Sequence, residues 1–260
     1  MPFNMIVNYH IKKQLIIVTI MNILDIPPEI ILHLSNYLND QDQLSLFVTC
    51  HKLYPYQYHV LWTSLYSFNK ISHIFNTYYF TRVTELPSTK YITKYMTEIK
   101  FSDTFNDDIT GLLPKKLSHL VFGRDFNQNI IGCLPDNLES VIFGDCFNKS
   151  IKTYQLKEKQ GEIITAIPHK IKTIIFGRDF NQDISECIPE SVEYLKLPVT
   201  YEGDLTAVFP KSIKKLEIPG KCIDEFVIPD NVIELIIYRP IYLKRLLYIP
   251  NTIKNIYFVP

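Results

Sequence analysis

A short phrase returns along this chain, and its return limits the possible folds more than any other feature. It reads LPKKLSHLVFGRDFNQNI from Leu113, LPDNLESVIFGDCFNKSI from Leu134 and IPHKIKTIIFGRDFNQDI from Ile167. The prolines that open it are Pro114, Pro135, Pro168, Pro189, Pro210, Pro229 and Pro250, spaced by 21, 33, 21, 21, 19 and 21 residues. A fixed period of this length means that one supersecondary unit stacks on copies of itself. No single copy buries its apolar face alone, so the copies share one continuous core. Arrays of this kind build long surfaces that hold partners, which directs the functional reading towards recognition.

Within each coil, apolar residues stand at positions +3, +6 and +8 from the proline: Leu117, Leu120 and Phe122, then Leu138, Val141 and Phe143, then Ile171, Ile174 and Phe176. The register continues through Val192, Leu195 and Leu197, then Ile213, Leu216 and Ile218, then Val232, Leu235 and Ile237, and finally Ile253, Ile256 and Phe258. The last two of each set alternate with the period of a strand. Strands stacked every ~4.8 Å make a parallel sheet. Gly123, Gly144 and Gly177 fall where the strand ends and the chain turns, a place for backbone freedom. A Phe-Asn pair follows at Phe105-Asn106, Phe126-Asn127, Phe147-Asn148 and Phe180-Asn181, and Ile109, Ile130, Ile151 and Ile184 return to the core. The phenylalanines are expected to form a stacked column. The asparagines are expected to turn inward and satisfy backbone groups of the turn.

Composition narrows the partners. Lys plus Arg number 27 and Asp plus Glu number 27. Up to Glu98 there are 7 basic and 6 acidic residues, leaving 20 and 21 beyond. No basic stripe exists, which argues against nucleic acid. With 47% hydrophobic residues the chain is that of a folded protein. The five cysteines, Cys50, Cys133, Cys146, Cys187 and Cys222, form no CxxC pair and no Cys/His cluster. Cys133 and Cys187 sit two residues before a proline with Ala166 between them in the stack, the pattern of small apolar filler. This usage suits a reducing compartment.

The N-terminal part follows another pattern. In residues 1–20, Lys12 and Lys13 precede LIIVTI, a run too short for a signal-peptide core or a membrane span. We expect residues 1–20 to be a dispensable extension and Met21 a natural start; mass spectrometry of the native protein checks this, and a dominant Met1 product contradicts it. From Ile26 the run IPPEIILHLSNYL spaces Ile30, Ile31, Leu34, Tyr37 and Leu38 as one helix face. Pro27 and Pro28 suit a helix start. Asn39 and Asp40 break the helix. A second helix is expected to bury Leu44, Leu46, Phe47 and Val48. A third, opened by Pro55, is expected to carry Val60, Leu61, Trp62 and Leu65.

The run Ile26–Leu38, together with Leu44, Leu46, Val48, Cys50, Lys52, Leu61 and Trp62, resembles an F-box. Pro28 stands where that motif usually has an acidic residue and Leu53 where an aromatic is common. The resemblance implies docking on the Skp-type adaptor of a cullin–RING ubiquitin ligase through Pro27, Pro28, Ile31, Leu34 and Leu38. The repeated phrase resembles the FNIP repeat, a relative of the leucine-rich repeats found mainly in social amoebae and large viruses of amoebae. It is strongest from Ile99 to Ile184 and fades where Tyr201-Glu202 and Cys222-Ile223 replace Phe-Asn. The expected fold is therefore α+β: an F-box-like helical module over 21–66, a connector or cap over 67–98, and a leucine-rich-repeat-like parallel β solenoid over 99–260, with a loop insertion at 154–165.

The scaffold letters leave the outward strand positions to meet a target. Position +7 reads Val121, Ile142, Ile175, Lys196, Glu217, Ile236 and Tyr257, and Tyr194 stands at +5. Val121, Ile142, Ile175, Lys196 and Tyr194 are the candidate target-binding residues, an apolar ridge beside a charged zone. The charged 154–165 insertion is a second candidate. The seven histidines are scattered, Asp125 and Asp179 pair locally with Arg124 and Arg178, and no phosphate-cradling loop or metal spacing occurs. No catalytic residue, cofactor or metal is expected. The resemblance implies a cytoplasmic, non-enzymatic ligase adaptor with an unknown protein target; the alternative is a repeat scaffold with no ubiquitin link.

Overall fold

The computed structural model describes residues 26–48, 53–157, 160–203, 205, 209–220, 228–238 and 249–260. The expected extension at 1–20, with Met21, Cys50 and the Cys222-Ile223 pair, lies outside the described residues. The chain divides into two compact units, one of Met1–Tyr66 with Lys70–Arg82 and the other of Ser67–Asn69 with Val83–Pro260.

In the first unit, Pro27 opens α1 (Pro28–Ser35): its carbonyl accepts from the N–H groups of Ile30 and Ile31 at 3.0 and 3.2 Å. Asn39 then caps α2 (Asp40–Val48), its Oδ1 accepting from the Asp42 N–H at 2.9 Å. Gln43 on α2 donates to the Ser35 and Leu38 carbonyls at 2.8 and 3.2 Å, satisfying groups left free as α1 ends. Ile31, Phe47, Leu53 and Val60 form the small core. The third helix does not form. Tyr54–His59 is a 3-10 turn, and Leu61–Ser67 is a strand, β1. The cause is tertiary. Buried Asp40 accepts from the backbone N–H groups of Thr63 and Ser64 at 2.9 and 2.8 Å and from the Tyr66 hydroxyl at 2.6 Å. Those N–H groups would serve intrahelical bonds in a helix. On α2, Leu44 and Val48 are exposed, while Asp40, Gln43 and Phe47 are buried.

The second unit stacks coils whose strands are β3 (Glu98–Phe101), β4 (His119–Val121), β5 (Ser140–Ile142), β8 (Thr173–Ile175), β9 (Tyr194–Lys196), β10 (Lys215–Pro219), β11 (Glu234–Tyr238) and β12 (Asn255–Val259), neighbours in that order. All pairings among them are parallel, and Leu120, Val141, Ile174, Leu195, Leu216, Leu235 and Ile256 stand in one line of partners. Each proline carbonyl accepts from the N–H three residues on, as in Leu117 to Pro114 at 3.0 Å and Val192 to Pro189 at 3.1 Å. The +4 carbonyl then accepts two N–H groups of the next coil; Ser118 takes those of Glu139 and Ser140 at 2.8 and 3.0 Å. The proline corner thus fixes the register of every strand that follows.

A coil precedes the first repeat proline. Met96, Ile99 and Phe101 fill +3, +6 and +8, and Met96 N–H donates to the Thr93 carbonyl at 3.2 Å. The coil opens at Thr93, 21 residues before Pro114. The remaining strand, β2 (Tyr79–Leu86), neighbours β1. The insertion is not an irregular loop. Lys152–Lys157 (β6) and Gln160–Thr165 (β7) pair antiparallel from Lys152↔Thr165 to Lys157↔Gln160, while β5 pairs directly with β8.

At the base of this hairpin the Lys152 ammonium, 8% exposed, reaches Asp183 Oδ2 at 2.5 Å and Ser185 Oγ at 2.9 Å. Burial alone would raise the Asp183 carboxyl, but its bonds to Lys152 and Ser185 hold it down at about 2. A depressed carboxylate adds stability above its unfolded pKa, near 4, and loses it as pH falls through the folded value. The melting-temperature gap between wild type and Asp183→Asn is therefore expected to be widest above pH ~4 and to close towards pH ~2. A gap constant over that range contradicts the pairing.

Two aromatic columns fill the core. Phe101, Phe122, Phe143 and Phe176 stack at 5.8, 5.6 and 5.3 Å between ring centroids. Beside them Phe105, Phe126, Phe147 and Phe180 stack at 5.9, 6.0 and 6.0 Å. Buried Tyr201 continues the second column 6.2 Å from Phe180, with its hydroxyl on the Gln182 carbonyl at 3.2 Å. The coil geometry therefore outlasts the Phe-Asn letters. The asparagines do not turn inward. Asn106, Asn148 and Asn181 are exposed and Asn127 half-buried, and each Oδ1 accepts from the backbone N–H one coil on: Asn106 from Asn127 at 2.8 Å, Asn127 from Asn148 at 3.0 Å, Asn148 from Asn181 at 3.0 Å and Asn181 from Glu202 at 2.8 Å. They form an external ladder. Asn127→Ala is expected to cost about 1 kcal/mol, the usual net worth of such a bond, by urea titration. Loss of partner binding at unchanged stability contradicts this scaffolding role.

The last coil departs from the pattern. Positions +6 and +8 are buried from β4 to β11, but Phe258 is 50% exposed on β12, the last strand in the sheet order.

Candidate interaction surface

Strand alternation turns +5 and +7 away from the core, and the ladder aligns them coil upon coil. Val121, Ile142 and Ile175 lie half-buried in one row, partners in the register β4-β5-β8. Tyr194 and Lys196, also half-buried, continue the +5 and +7 rows on β9. The candidate ridge and its charged neighbour are thus one continuous strip.

The centre of the charged zone is a residue that sequence reasoning left among the outward positions. Glu217 is only 4% exposed. The Tyr194 hydroxyl donates to its Oε1 at 2.5 Å, and the Tyr238 hydroxyl donates to Oε2. Lys196 Nζ stands 3.2 Å from Oε2 and Lys215 Nζ 3.7 Å from Oε1, with Lys215 also 3.0 Å from Glu234. Lys196 lies over the Tyr238 ring at 5.5 Å and Lys215 over the Tyr194 ring at 4.9 Å. Burial pushes the Glu217 carboxyl up, yet the two tyrosines and Lys196 outweigh it and hold the group below its ordinary range. Burial and the Glu217 carboxylate raise Tyr194, and the same pair of causes raises Tyr238. With two lysines and two carboxylates, the cluster is neutral and its acceptors are filled. It makes a fixed polar block. Tyr238 escaped the reading because it stands at +9, two coils beyond Tyr194; only the stacked register brings the two to one carboxylate.

Elsewhere the expected local pairs form: Arg124 with Asp125 at 2.8 Å and Arg178 with Asp179 at 2.9 Å. Cys133, Ala166 and Cys187 are all buried as filler, and burial pushes the Cys187 thiol up to about 11, far from a reactive thiolate. Among the described residues no group of three His, Cys, Asp or Glu is placed to hold a metal ion, and no helix is long and apolar enough to cross a membrane.

On the first unit the docking candidates separate. Ile31 is 4% exposed and belongs to the core, whereas Pro27 is exposed and Pro28, Leu34 and Leu38 are half-buried. Within the Ile26–Leu38 run, the large apolar side chains that are exposed are Ile30 and Tyr37. A helix period places Ile30 and Leu34 one turn apart, and only the packing of Ile31 against Phe47 decides which side faces out.

Residues 105–146, 126–156 and 162–199 match the FNIP Repeat family model. Among solved structures the chain is similar to CroV588, described as a novel circular LRR protein, with a TM-score of 0.53 and 25% identity over 70% of this chain and 27% of that one. The chain thus spans about a quarter of that protein's length. No curated protein matches it. The coils over 105–156 and 162–199 match the FNIP repeat, and the chain is a repeat scaffold built as a leucine-rich-repeat-like parallel solenoid.

Proposed function

We propose that the chain is a substrate-recruiting subunit of a cullin–RING ubiquitin ligase, docking on a Skp-type adaptor through its N-terminal helices and holding a protein target on the solenoid's sheet face. The observation that carries the recognition half is the strip of Val121, Ile142 and Ile175 running into the Tyr194–Lys196–Glu217 block. An apolar strip rimmed by fixed polar groups has the anatomy of a protein contact. The docking half is supported by Ile30 and Leu34 on α1, by Tyr37 just beyond it, and by Pro27, Pro28 and Leu38 on the same segment. Ile31 leaves the docking set because it is core. The mechanism is proximity: tethering raises the target's effective concentration at the ligase, so no group of this chain reacts. The buried thiols Cys133 and Cys187 suit work in a reducing cytoplasm. A second reading, a repeat scaffold with no ubiquitin link, draws on β1 standing where a third helix was expected.

Pull-down of a purified Skp-type adaptor by the full chain separates the two. Wild type is expected to capture it, and Leu34→Asp to lose capture while its melting temperature holds. Failure of wild type to bind removes the docking half and leaves the scaffold.

A further inference from the structure

Along the edge where the strands begin, side chains at +2 and +4 line an open groove of about 760 Å³. Its floor is made of short polar groups bonded to the scaffold. Ser118 Oγ donates to the Thr97 carbonyl at 3.0 Å and Asn137 Nδ2 to the Lys115 carbonyl at 3.1 Å. Its walls are Lys116, Lys170 and Lys172. The single carboxylate in the lining, Glu139, lies 2.9 Å from Lys172. Their hydrogen bond lowers the Glu139 carboxyl and raises the Lys172 ammonium, so the two neutralise each other. Lys170 reaches only the neutral Asn137 Oδ1, at 3.4 Å. Among the described residues no carboxylate lies within ion-pair distance of Lys116 or Lys170. The groove therefore keeps two uncompensated positive charges in a chain whose formal charge is zero.

We propose that this groove docks an extended acidic segment of a partner protein. Lys116 and Lys170 share the +2 column two coils apart, so a strand spacing of ~4.8 Å sets their backbones about 10 Å apart. In a polyproline II chain, residues three apart share one face and lie roughly 9 Å apart. Two carboxylates at that spacing meet both ammonium groups while the backbone follows the polar floor. The groove uses +2 and +4, not the outward +5 and +7 strip, and does not depend on the ligase reading.

The test is fluorescence anisotropy of the full chain with a labelled proline-rich peptide carrying glutamates three residues apart. Binding is expected to weaken roughly tenfold or more when salt rises from about 0.05 to 0.5 M, because exposed pairs are screened. Lys116→Glu with Lys170→Glu, and the milder pair of alanine substitutions, are expected to weaken it at unchanged melting temperature, and a glutamine peptide is expected to bind poorly. Unchanged affinity in both double variants overturns the proposal. So does the absence of wild-type binding at millimolar peptide, or tighter binding of a single-stranded oligonucleotide lost in the same variants.

Discussion

Phe147→Ala is expected to destabilise the solenoid by about 3–5 kcal/mol, the usual cost of emptying a buried phenylalanine site. Phe147 is fully buried, 4.2 Å from the Phe143 ring and 6.0 Å from both Phe126 and Phe180. Its removal opens both columns at mid-stack, where neighbouring coils cannot close without breaking the ladder on either side. In an array whose stability is a sum of coil and nearest-neighbour terms, the gap also uncouples the two halves. Urea unfolding followed by circular dichroism is expected to show a lower midpoint and a broader transition. Phe258→Ala is the control, since half of that ring is already exposed. A Phe147 cost no larger than that of Phe258 contradicts the stacked column.

Gly144→Ala is expected to be as damaging, by a different route. A Cβ there would lie 1.8 Å from the Gly123 carbonyl oxygen and 2.5 Å from its carbon. Both are backbone atoms held by the ladder, so the coils must part. The cost belongs at or above the upper end of overpacking effects, about 3 kcal/mol or more. Gly132 offers the contrast: a Cβ meets nothing within 4 Å, but φ is +73°. Gly132→Ala is expected to cost about 1 kcal/mol for the left-handed backbone alone. Thermal melts of the two variants rank them, and a larger loss at Gly132 contradicts close coil contact as the reason for Gly144. Glu186 holds the equivalent of the Gly132 position at φ +61°, so that backbone shape is imposed by the coil and not by glycine.

These residues show which parts of the fold were legible. The proline spacing carried the strand positions, because a corner hydrogen bond fixes where each strand begins. It missed the coil at Thr93, where another residue makes the same corner. The Phe-Asn letters overstated the decay beyond Pro189, since Tyr201 fills the ring column and the Glu202 N–H continues the ladder to Asn181. The glycines were read for backbone freedom, whereas Gly123, Gly144 and Gly177 are needed for coil approach, a distance no single coil encodes. In the first unit, local pattern favoured a helix over Leu61–Leu65, and the Asp40 carboxylate decided for a strand. The outward ridge was readable from alternation alone. The Glu217 block was not, because it is assembled from three coils and rests on the burial of one carboxylate.

The Phe, Asn and Gly columns belong to the scaffold; the roles proposed for the outward strip in holding a target and for α1 in docking an adaptor are tested together. The most direct measurement is quantitative mass spectrometry of proteins co-purified from cells with wild type, Ile142→Asp and Leu34→Asp, each first shown to melt like wild type. The account predicts that Ile142→Asp loses one set of proteins, the targets, and keeps the Skp-type adaptor, while Leu34→Asp does the reverse. One common set lost by both variants, or no protein lost by Ile142→Asp, would contradict it.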